Sequence, residues 1–383
     1  MSRVVLAPDK FKGTLSALEV ARALARGFRG ESEGRSPSRG PGGEAPESEG
    51  CEVVSRPMAD GGEGTLDVLV AAARGRGEPV ALHRVKVRGP LGEPVEAEIA
   101  LLGKRAILES ARTSGLGLAS RSDPLRATTR GLGELALAAT ALGAEELWIA
   151  LGGSATTDGG TGFARALGAR FLDAGGNELA DGGGPLENLA RVELPVRSLP
   201  PIVALVDVRN PLLGPRGAAR VFGPQKGASP EQVAQLERGL ARLAYGTRPD
   251  VAARPGAGAA GGLGFGLVVF AKAELVPGAE RVASAVGLDE ALYGAGLVVT
   301  GEGRFDLTTF EGKTVRHVLS RARALGVPAA IVAGCAEADA SLRARELGVR
   351  HVVTLVELAG GDIERAKREA AALCELAAGA LRR

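Results

Sequence analysis

Aromatic residues are scarce in this chain, since Phe, Trp and Tyr together make up 3% of its 383 residues. Proteins that bind single-stranded nucleic acid usually expose aromatic rings on which the bases stack, so the composition argues against that class. The formal net charge of +2 gives no electrostatic reason to expect binding to nucleic acid or to an anionic membrane. The composition therefore favours a protein that acts on small molecules.

Cysteines are also few, and they are widely separated, at Cys51, Cys335 and Cys374. They form no CxxC pair and their number is odd, so we predict neither a disulfide framework nor a zinc site. No apolar run reaches the roughly 18 residues that a membrane-spanning helix needs. Met-Ser-Arg leads directly into a strand-like run rather than into a signal peptide. We therefore expect a cytoplasmic protein that does not bind membranes.

The chain is longer than a domain with a single hydrophobic core usually is, and its length suits two domains. Strand-like runs alternate with helical patterns in residues 1–78 and 288–383, which predicts an α/β fold with one Rossmann-like, doubly wound parallel sheet formed by both chain ends. Short alternating runs from residue 79 onward predict a second α/β domain with a mixed sheet, inserted at 79–287. Residues 30–50 are rich in Gly, Pro, Ser and Glu and predict a mobile surface loop.

Three of the strand-like runs end in glycine loops that carry acids and hydroxyls. These loops are Asp60–Thr65, Ser154–Gly162 and Thr300–Asp306. Glycine lets backbone N–H groups crowd together and bind an anion, and a neighbouring carboxylate can hold Mg²⁺ or accept a proton. The combination predicts phosphate chemistry. Because ligands of such sheets bind beyond the carboxyl ends of the strands, we expect the active site in the cleft between the two domains.

The turn after the first strand carries Asp9, Lys10 and Lys12. Lysine is suited to neutralising phosphate charge, although a charged, solvated turn explains the two lysines equally well. Asp9, at the end of a strand, is the stronger candidate for a functional residue. Ser16 and Glu19 have the spacing of a capping box, so a helix is predicted to start after Ser16.

Each acid-bearing loop also has a structural interpretation. Asp60 is a candidate general base or metal ligand, and its spacing does not decide between them, while Thr65 alone would serve as an ordinary helix cap. Asp158 could cap the helix that follows its loop. Glu302 and Asp306 could ligate Mg²⁺ or belong to a buried ion-pair network.

Two further glycine motifs fail their structural tests. Gly256–Gly261 matches GxGxxG but follows no strand, so a dinucleotide-binding fingerprint is not predicted. Gly312-Lys313-Thr314 ends like a Walker A sequence, yet Leu307 stands where that motif requires glycine. The chain is therefore not expected to be a P-loop enzyme.

Seven blocks of the sequence together resemble the bacterial glycerate kinase family of type I, which makes 2-phosphoglycerate. The matching blocks are residues 7–17, 57–65, 151–160, 210–218, 222–228, 255–264 and 300–306. The resemblance implies ATP-dependent phosphorylation of D-glycerate, in glycerate and glyoxylate catabolism, with Mg²⁺ as cofactor. The chain departs from the family pattern in the long insertion at 30–50 and in Leu307-Thr308-Thr309, where the family more often has glutamine before threonine. Neither departure replaces a predicted acid, and the second bears on the contacts near Asp306.

The loops and the resemblance together give a set of predicted site residues. Asp60 is the first choice for the catalytic base, followed by Asp207 and Asp158, and Lys226 and Arg304 are predicted to stabilise the transferring phosphoryl group. The predicted nucleotide-binding residues are Lys12, Gly61, Gly62, Ser154, Thr156, Gly301 and Lys313. The predicted substrate-binding residues are Asp9, Lys10, Glu63, Thr65 and Asn210, and the predicted metal ligands are Glu302 and Asp306.

Two other functions remain as alternatives at this stage. The sheet alone would permit a nicotinamide-dependent oxidoreductase that acts on a hydroxy acid, but the missing fingerprint after the first strand counts against it. A glycerate- or nucleotide-binding sensor without turnover is the second alternative. The expected partners are D-glycerate and ATP, and assembly into a homodimer is left open.

Overall fold

The computed structural model describes residues 3–31, 51–119 and 121–382. Most of the glycine-rich segment predicted as a mobile loop therefore lies outside the described residues. The strands are β1 Arg3–Pro8, β2 Glu52–Ser55, β3 Val80–Arg88, β4 Pro94–Leu102, β5 Arg105–Glu109, β6 Glu146–Leu151, β7 Arg170–Leu172, β8 Arg191–Glu193, β9 Ile202–Val206, β10 Glu274–Pro277, β11 Leu297–Gly301, β12 Arg304–Phe305, β13 Ala329–Ala333, β14 Cys335–Ala336 and β15 Val349–Thr354.

The α-helices connect and cover these strands. They are α1 Ala17–Arg29, α2 Thr65–Gly75, α3 Ala111–Ser114, α4 Arg130–Ala141, α5 Thr161–Ala166, α6 Ala218–Phe222, α7 Pro230–Tyr245, α8 Pro249–Ala252, α9 Ala259–Ala271, α10 Gly278–Val286, α11 Leu288–Leu292, α12 Thr314–Ala324, α13 Ala338–Glu346, α14 Leu355–Leu358, α15 Ile363–Arg368 and α16 Ala370–Leu381. Short 3₁₀ turns occur at Leu116–Leu118, Gly184–Asn188, Pro224–Lys226 and Leu307–Glu311. Within the described ranges, no helix combines the length and apolar character needed to cross a lipid bilayer.

The chain folds into two compact units. The first consists of the described residues within Met1–Ala59, Asp67–Ala72 and Val282–Arg383, and the second of Asp60–Leu66 and Ala73–Arg281. The sequence prediction placed residues 1–78 and 288–383 in the first domain, whereas residues 60–66 and 73–78 belong to the second unit and residues 282–287 to the first.

The first unit is built on a parallel sheet with the strand order β15-β13-β11-β1-β2. Its central strands are apolar and buried along their length, because helices cover both faces of a sheet of this kind. On one face Leu6 and Val299 pack with residues of α1 and α16, among them Leu24 and Leu373. The predicted capping box is present, since Ser16 and Glu19 each accept a hydrogen bond from the other's backbone N–H at the start of α1.

The second unit contains a mixed sheet with the strand order β10-β9-β6-β5-β4-β3. Strands β3, β4 and β5 pair antiparallel, and β5, β6, β9 and β10 continue the sheet in parallel. Leu147, Ile149 and Ala204 on these strands pack against α4 and α9 in one core. The predicted fold class, with a parallel sheet formed by both chain ends and a second α/β domain with a mixed sheet, is confirmed.

Candidate active site

In the first unit, acids follow directly after two neighbouring strands. Asp9 follows β1 and Glu302 follows β11. The two strands pair with each other up to their carboxyl ends, and the pairing continues to Asp9, whose N–H donates to Gly301 O at 2.8 Å. Asp9 is buried, and its two carboxylate oxygens accept hydrogen bonds of 2.7 Å from the N–H of Lys10 and from Thr314 Oγ1. The carboxylate is therefore held in one orientation at the carboxyl end of the sheet.

The turn after β11 carries the two predicted metal ligands. Glu302 Oε1 accepts a hydrogen bond of 2.6 Å from Thr309 Oγ1, and Asp306 caps the 3₁₀ turn that follows by accepting from the N–H of Thr308 at 2.9 Å. The hydrogen bond from the Thr308 hydroxyl lowers the pKa of Asp306 below its ordinary value. In the segment Leu307-Thr308-Thr309, the Thr308 hydroxyl thus contacts Asp306 and the Thr309 hydroxyl contacts Glu302.

The predicted cationic residues of the first unit lie near these acids but differ in environment. Arg304 is exposed and forms ion pairs with Glu337 at 2.7 Å and with Asp306 at 3.4 Å. Lys313, the residue before α12, donates to Thr308 Oγ1 at 3.0 Å, and Lys12 is exposed in the turn after β1. The lysines thus occupy the same edge of the sheet as Asp9.

Gly301, predicted to bind nucleotide, has a packing reason for being glycine. An added Cβ would lie 1.7 Å from Val332 O on the neighbouring strand, which no side chain could tolerate. Its identity is therefore required by strand packing, whether or not a ligand approaches it.

In the second unit, the loop from Asp60 to Thr65 folds as a tight turn in front of α2. Asp60 Oδ1 accepts from the N–H of Gly62 at 3.0 Å, and Thr65 Oγ1 donates to Gly62 O at 2.7 Å. Gly61 has a φ of +92° and packs against Gly278, so both its backbone conformation and its surroundings favour glycine. Glu63 is exposed and Thr65 is fully buried. Asp60 is only partly buried, which suits a group that contacts a substrate.

Glu109, which the sequence interpretation did not single out, anchors this turn. Its Oε1 accepts a hydrogen bond of 2.8 Å from Leu66 N in the first turn of α2, and Oε2 pairs with Arg112 at 3.0 Å. The residue is 1% exposed at the end of β5. An acid that ends a buried strand is the signal that could have identified it, since such a charge needs a partner.

The glycine loop after β6 surrounds a buried lysine. Lys226 is 4% exposed and donates to Ser154 Oγ at 3.2 Å and to Thr156 O at 2.5 Å. Burial lowers the pKa of Lys226 to about 7, although the Asp158 carboxylate nearby raises it. In the part of the chain that is described, the buried hydroxyls of Thr156 and Thr157 find no hydrogen-bond partner. Lys226 therefore fixes the loop from within.

Asp158 is placed as a structural residue rather than as an accessible base. The side chain is fully buried, and its two oxygens accept hydrogen bonds from Thr129 N, Thr129 Oγ1, Gly160 N and Gly162 N at 2.8–3.1 Å. Burial raises its pKa, and these hydrogen bonds act in the opposite direction. Asp158 thus joins its own loop to the start of α4, and these contacts favour the structural interpretation of this residue.

Asp207 and Asn210 follow β9 in the same unit. Asp207 is partly buried and directly follows the last residue of β9. Asn210 instead uses its side chain within a local turn, donating from Nδ2 to Arg216 O at 2.7 Å. The geometry therefore gives Asn210 a structural contact that does not depend on substrate.

Within residues 3–31, 51–119 and 121–382, no group of three or more His, Cys, Asp or Glu side chains is placed to hold a metal ion. Mg²⁺ in kinases is usually bound by one or two carboxylates together with phosphate oxygens and water. The hard oxygen donors Glu302 and Asp306, held by adjacent threonines of one turn, fit that smaller requirement.

Comparison with models of protein families shows to which family the chain belongs. The model of the glycerate kinase family matches residues 4–383. The chain belongs to the glycerate kinase family. It is thus a kinase, a transferase of phosphoryl groups, and the resemblance drawn from the sequence blocks is confirmed.

Individual relatives agree with the family assignment. A protein named glycerate kinase from Halalkalibacterium halodurans is 41% identical over 346 residues, which is 87% of this chain and 86% of the relative. A protein named glycerate 2-kinase from Escherichia coli K12 is 42% identical, over 87% of this chain and 85% of its own length. A crystal structure from Salmonella typhimurium LT2, described as "putative glycerate kinase 2", is similar with a TM-score of 0.78 and 37% identity, covering 100% of this chain and 97% of its own.

Proposed function

We propose that this member of the glycerate kinase family transfers the γ-phosphoryl group of ATP to the 2-hydroxyl of D-glycerate, giving 2-phospho-D-glycerate and ADP. The observation that carries the proposal is the family match over residues 4–383, together with the relative named glycerate 2-kinase. Glu302 and Asp306, in the turn after β11, supply oxygen donors suited to a magnesium nucleotide, and Asp9, which follows β1, is assigned to glycerate. Since the family is one of kinases, neither the oxidoreductase nor the sensor alternative is retained.

The proposed roles follow from exposure and from contacts. Asp60 is partly buried, and its carboxylate, which accepts the N–H of Gly62, takes the proton from the attacking hydroxyl. Asp207 is the second choice for this base. Asp158 and Asn210 are set aside, because their polar atoms are engaged within the fold.

Charge on the phosphoryl group is balanced by groups of the first unit in this proposal. Lys12 and Lys313 place ammonium groups at the edge of the sheet where Asp9 and Glu302 lie. Glu302 and Asp306 would hold Mg²⁺, which when bound neutralises phosphate charge and orients the γ-phosphoryl group. Lys226 is proposed to fix the loop that contains Ser154 and not to contact phosphate, since its ammonium group is buried and already donates two hydrogen bonds.

A cytoplasmic location is part of the proposal, because three cysteines that are far apart in sequence and form no CxxC pair suit a reducing compartment. ATP, D-glycerate and Mg²⁺ are the proposed small-molecule partners. Degradation of glycerate and glyoxylate is the proposed metabolic setting.

Phosphorus NMR of the product formed from D-glycerate, ATP and Mg²⁺ tests the reaction and its position together. We expect the resonance of 2-phosphoglycerate to appear as the γ-phosphate resonance of ATP disappears. A product with phosphate on the terminal carbon would refute the proposed position, and ATP consumption without a phosphorylated glycerate would refute the proposed acceptor.

Asp60→Asn tests the base in the same assay. We expect its turnover to fall by about two orders of magnitude or more, as is typical for removal of a general base. Asp173→Asn is a matched control, because Asp173 also accepts an N–H from the residue two positions later, Gly175, in an exposed turn of the same unit. Nearly full turnover of Asp60→Asn with an unchanged pH profile would contradict the assignment.

A further inference from the structure

Three acids of the first unit each accept a hydrogen bond from a different threonine of one short segment, residues 308–314. The donor–acceptor distances are 2.5 Å for Thr308 Oγ1 to Asp306, 2.6 Å for Thr309 Oγ1 to Glu302 and 2.7 Å for Thr314 Oγ1 to Asp9. An ionised carboxylate can only accept, so the hydroxyl donates in each pair. One segment thus contacts the acids that follow β1 and β11.

The contact made by Thr308 has an ordinary structural explanation. Asp306 and Thr309 form a capping box at the start of the 3₁₀ turn Leu307–Glu311, and the Asp306 side chain accepts from Thr308 N. The Thr308 side chain is exposed and lies beside a carboxylate that already caps the turn. Local capping therefore accounts for this pair.

Capping does not account for the hydrogen bonds that Thr309 and Thr314 donate to Glu302 and Asp9. Thr309 is fully buried; its hydroxyl donates to Glu302, seven residues away, and accepts weakly from Asp306 N at 3.4 Å. Thr314 is 1% exposed in the first turn of α12, and its hydroxyl donates to Asp9, 305 residues away in sequence. Both bonds join the segment to acids outside its own turn.

A buried threonine is well suited to orienting a carboxylate. Its branched side chain is stiff at χ1, so the hydroxyl is restricted to few positions. Asp9, whose second oxygen accepts from Lys10 N at 2.7 Å, is consequently held by two donors. Hydrogen bonds of this kind fix the groups that contact a metal or a substrate, and losing them weakens binding without removing the contacting group.

We propose that Thr309 and Thr314 are positioning residues with separate targets: Thr309 orients Glu302 for the divalent cation of the nucleotide, and Thr314 orients Asp9 for glycerate. The inference rests on the proposed function, which supplies the two ligands. It predicts that loss of the Thr309 hydroxyl weakens binding of one ligand and that loss of the Thr314 hydroxyl weakens binding of the other.

Direct binding measurements on the full-length protein separate the two roles. Mn²⁺ binding in the presence of a non-hydrolysable ATP analogue is followed by electron paramagnetic resonance of the free ion, and D-glycerate binding by calorimetry. We expect Thr309→Val to weaken Mn²⁺ binding about tenfold and Thr314→Val to weaken glycerate binding about tenfold, as for loss of a hydrogen bond to a charged group. Each variant should leave the other ligand's affinity within about twofold.

Serine variants and a structural control complete the experiment. Thr309→Ser and Thr314→Ser retain the hydroxyl and should recover most of the lost affinity. Thr354→Val removes the capping hydroxyl of α14, a buried threonine of the same unit that contacts none of these acids. It should cost about 1 kcal/mol of stability and leave both affinities unchanged.

The outcomes are distinct. The inference is overturned if either valine variant resembles Thr354→Val, if both valine variants weaken both ligands equally, or if the serine variants do not recover binding. Failure of the wild-type protein to bind Mn²⁺ or glycerate would overturn the corresponding role. Normal binding without phosphoryl transfer would refute the proposed function while leaving the positioning roles supported.

Discussion

Replacement of Lys226 with methionine tests whether a buried amine controls the stability of the second unit. Burial lowers the pKa of Lys226 from 10.5 to about 7. The side chain is 4% exposed, and its ammonium group donates to Ser154 Oγ and Thr156 O. Because the unfolded chain binds the proton more tightly than the folded one, folding becomes dependent on pH.

The direction of this dependence follows from the two pKa values. Below pH 7 the amine is protonated in both states, and the folded protein carries the full cost of burying the charge. Between pH 7 and pH 10.5 the folded amine is neutral while the unfolded amine still binds a proton, so the stability contributed by this group rises with pH. Above pH 10.5 both states are neutral and the dependence ends.

The expected size of the effect is large for a single residue. Each pKa unit corresponds to about 1.4 kcal/mol, so the full cost of ionising buried Lys226 is of the order of 5 kcal/mol. Between pH 6.5 and pH 9.5 the wild-type protein should regain about 3 kcal/mol that a methionine variant cannot regain. Methionine also leaves the Thr156 carbonyl without its donor, which costs about 1–3 kcal/mol at every pH.

Urea unfolding at pH 6.5, 8 and 9.5, followed by tryptophan fluorescence, measures this difference. The single tryptophan, Trp148, is buried in the second unit and therefore reports on the unit that contains Lys226. We expect Lys226→Met to be at least as stable as wild type at pH 6.5 and less stable at pH 9.5. Lys86→Met, which removes an exposed lysine of β3, should follow the wild-type pH dependence. An identical pH dependence for wild type and Lys226→Met would refute the reasoning.

Two further predictions concern stability. The two carboxylate oxygens of Asp158 accept four hydrogen bonds, and Asp158→Asn replaces one of these oxygens with a donor. We therefore expect the free energy of unfolding, measured in urea by Trp148 fluorescence, to fall by about 2–4 kcal/mol. Unchanged stability would contradict the structural role given to Asp158. Gly278→Ala places a Cβ 2.0 Å from Asp60 O and should lower the melting temperature by several degrees. Gly379→Ala in α16 places a Cβ where no atom lies within 4 Å and should raise the melting temperature slightly. Equal effects of the two substitutions would contradict the packing argument.

The regular elements were largely predictable because their signals are local. The buried run Arg3–Pro8 is β1, and the capping box at Ser16 opens α1. The apolar runs Glu146–Leu151 and Ala329–Ala333 likewise form β6 and β13. Hydrophobic periodicity and helix capping act over a few residues, and neighbouring sequence is sufficient to recognise them.

The candidate site was predictable as a set of loops but not as a set of roles. Asp60, Asp207 and Asp158 were all candidate bases, with Asp60 the first choice, since each follows a strand-like run. Their exposure separates them, because Asp158 is fully buried and saturated with hydrogen bonds while Asp60 and Asp207 are partly exposed. Burial depends on which distant segments cover a loop, and no local pattern records that.

The sequence by itself determined the family, the order of strands and helices, and the placement of acids at strand ends, because these follow from motif blocks and short-range periodicity. Only the tertiary structure decided the partner of each acid. Leu66 N reaches Glu109 from 43 residues away, and Thr314 reaches Asp9 across almost the whole chain. Such pairs depend on strand order and on crossover connections, which bring together residues that the linear sequence keeps far apart.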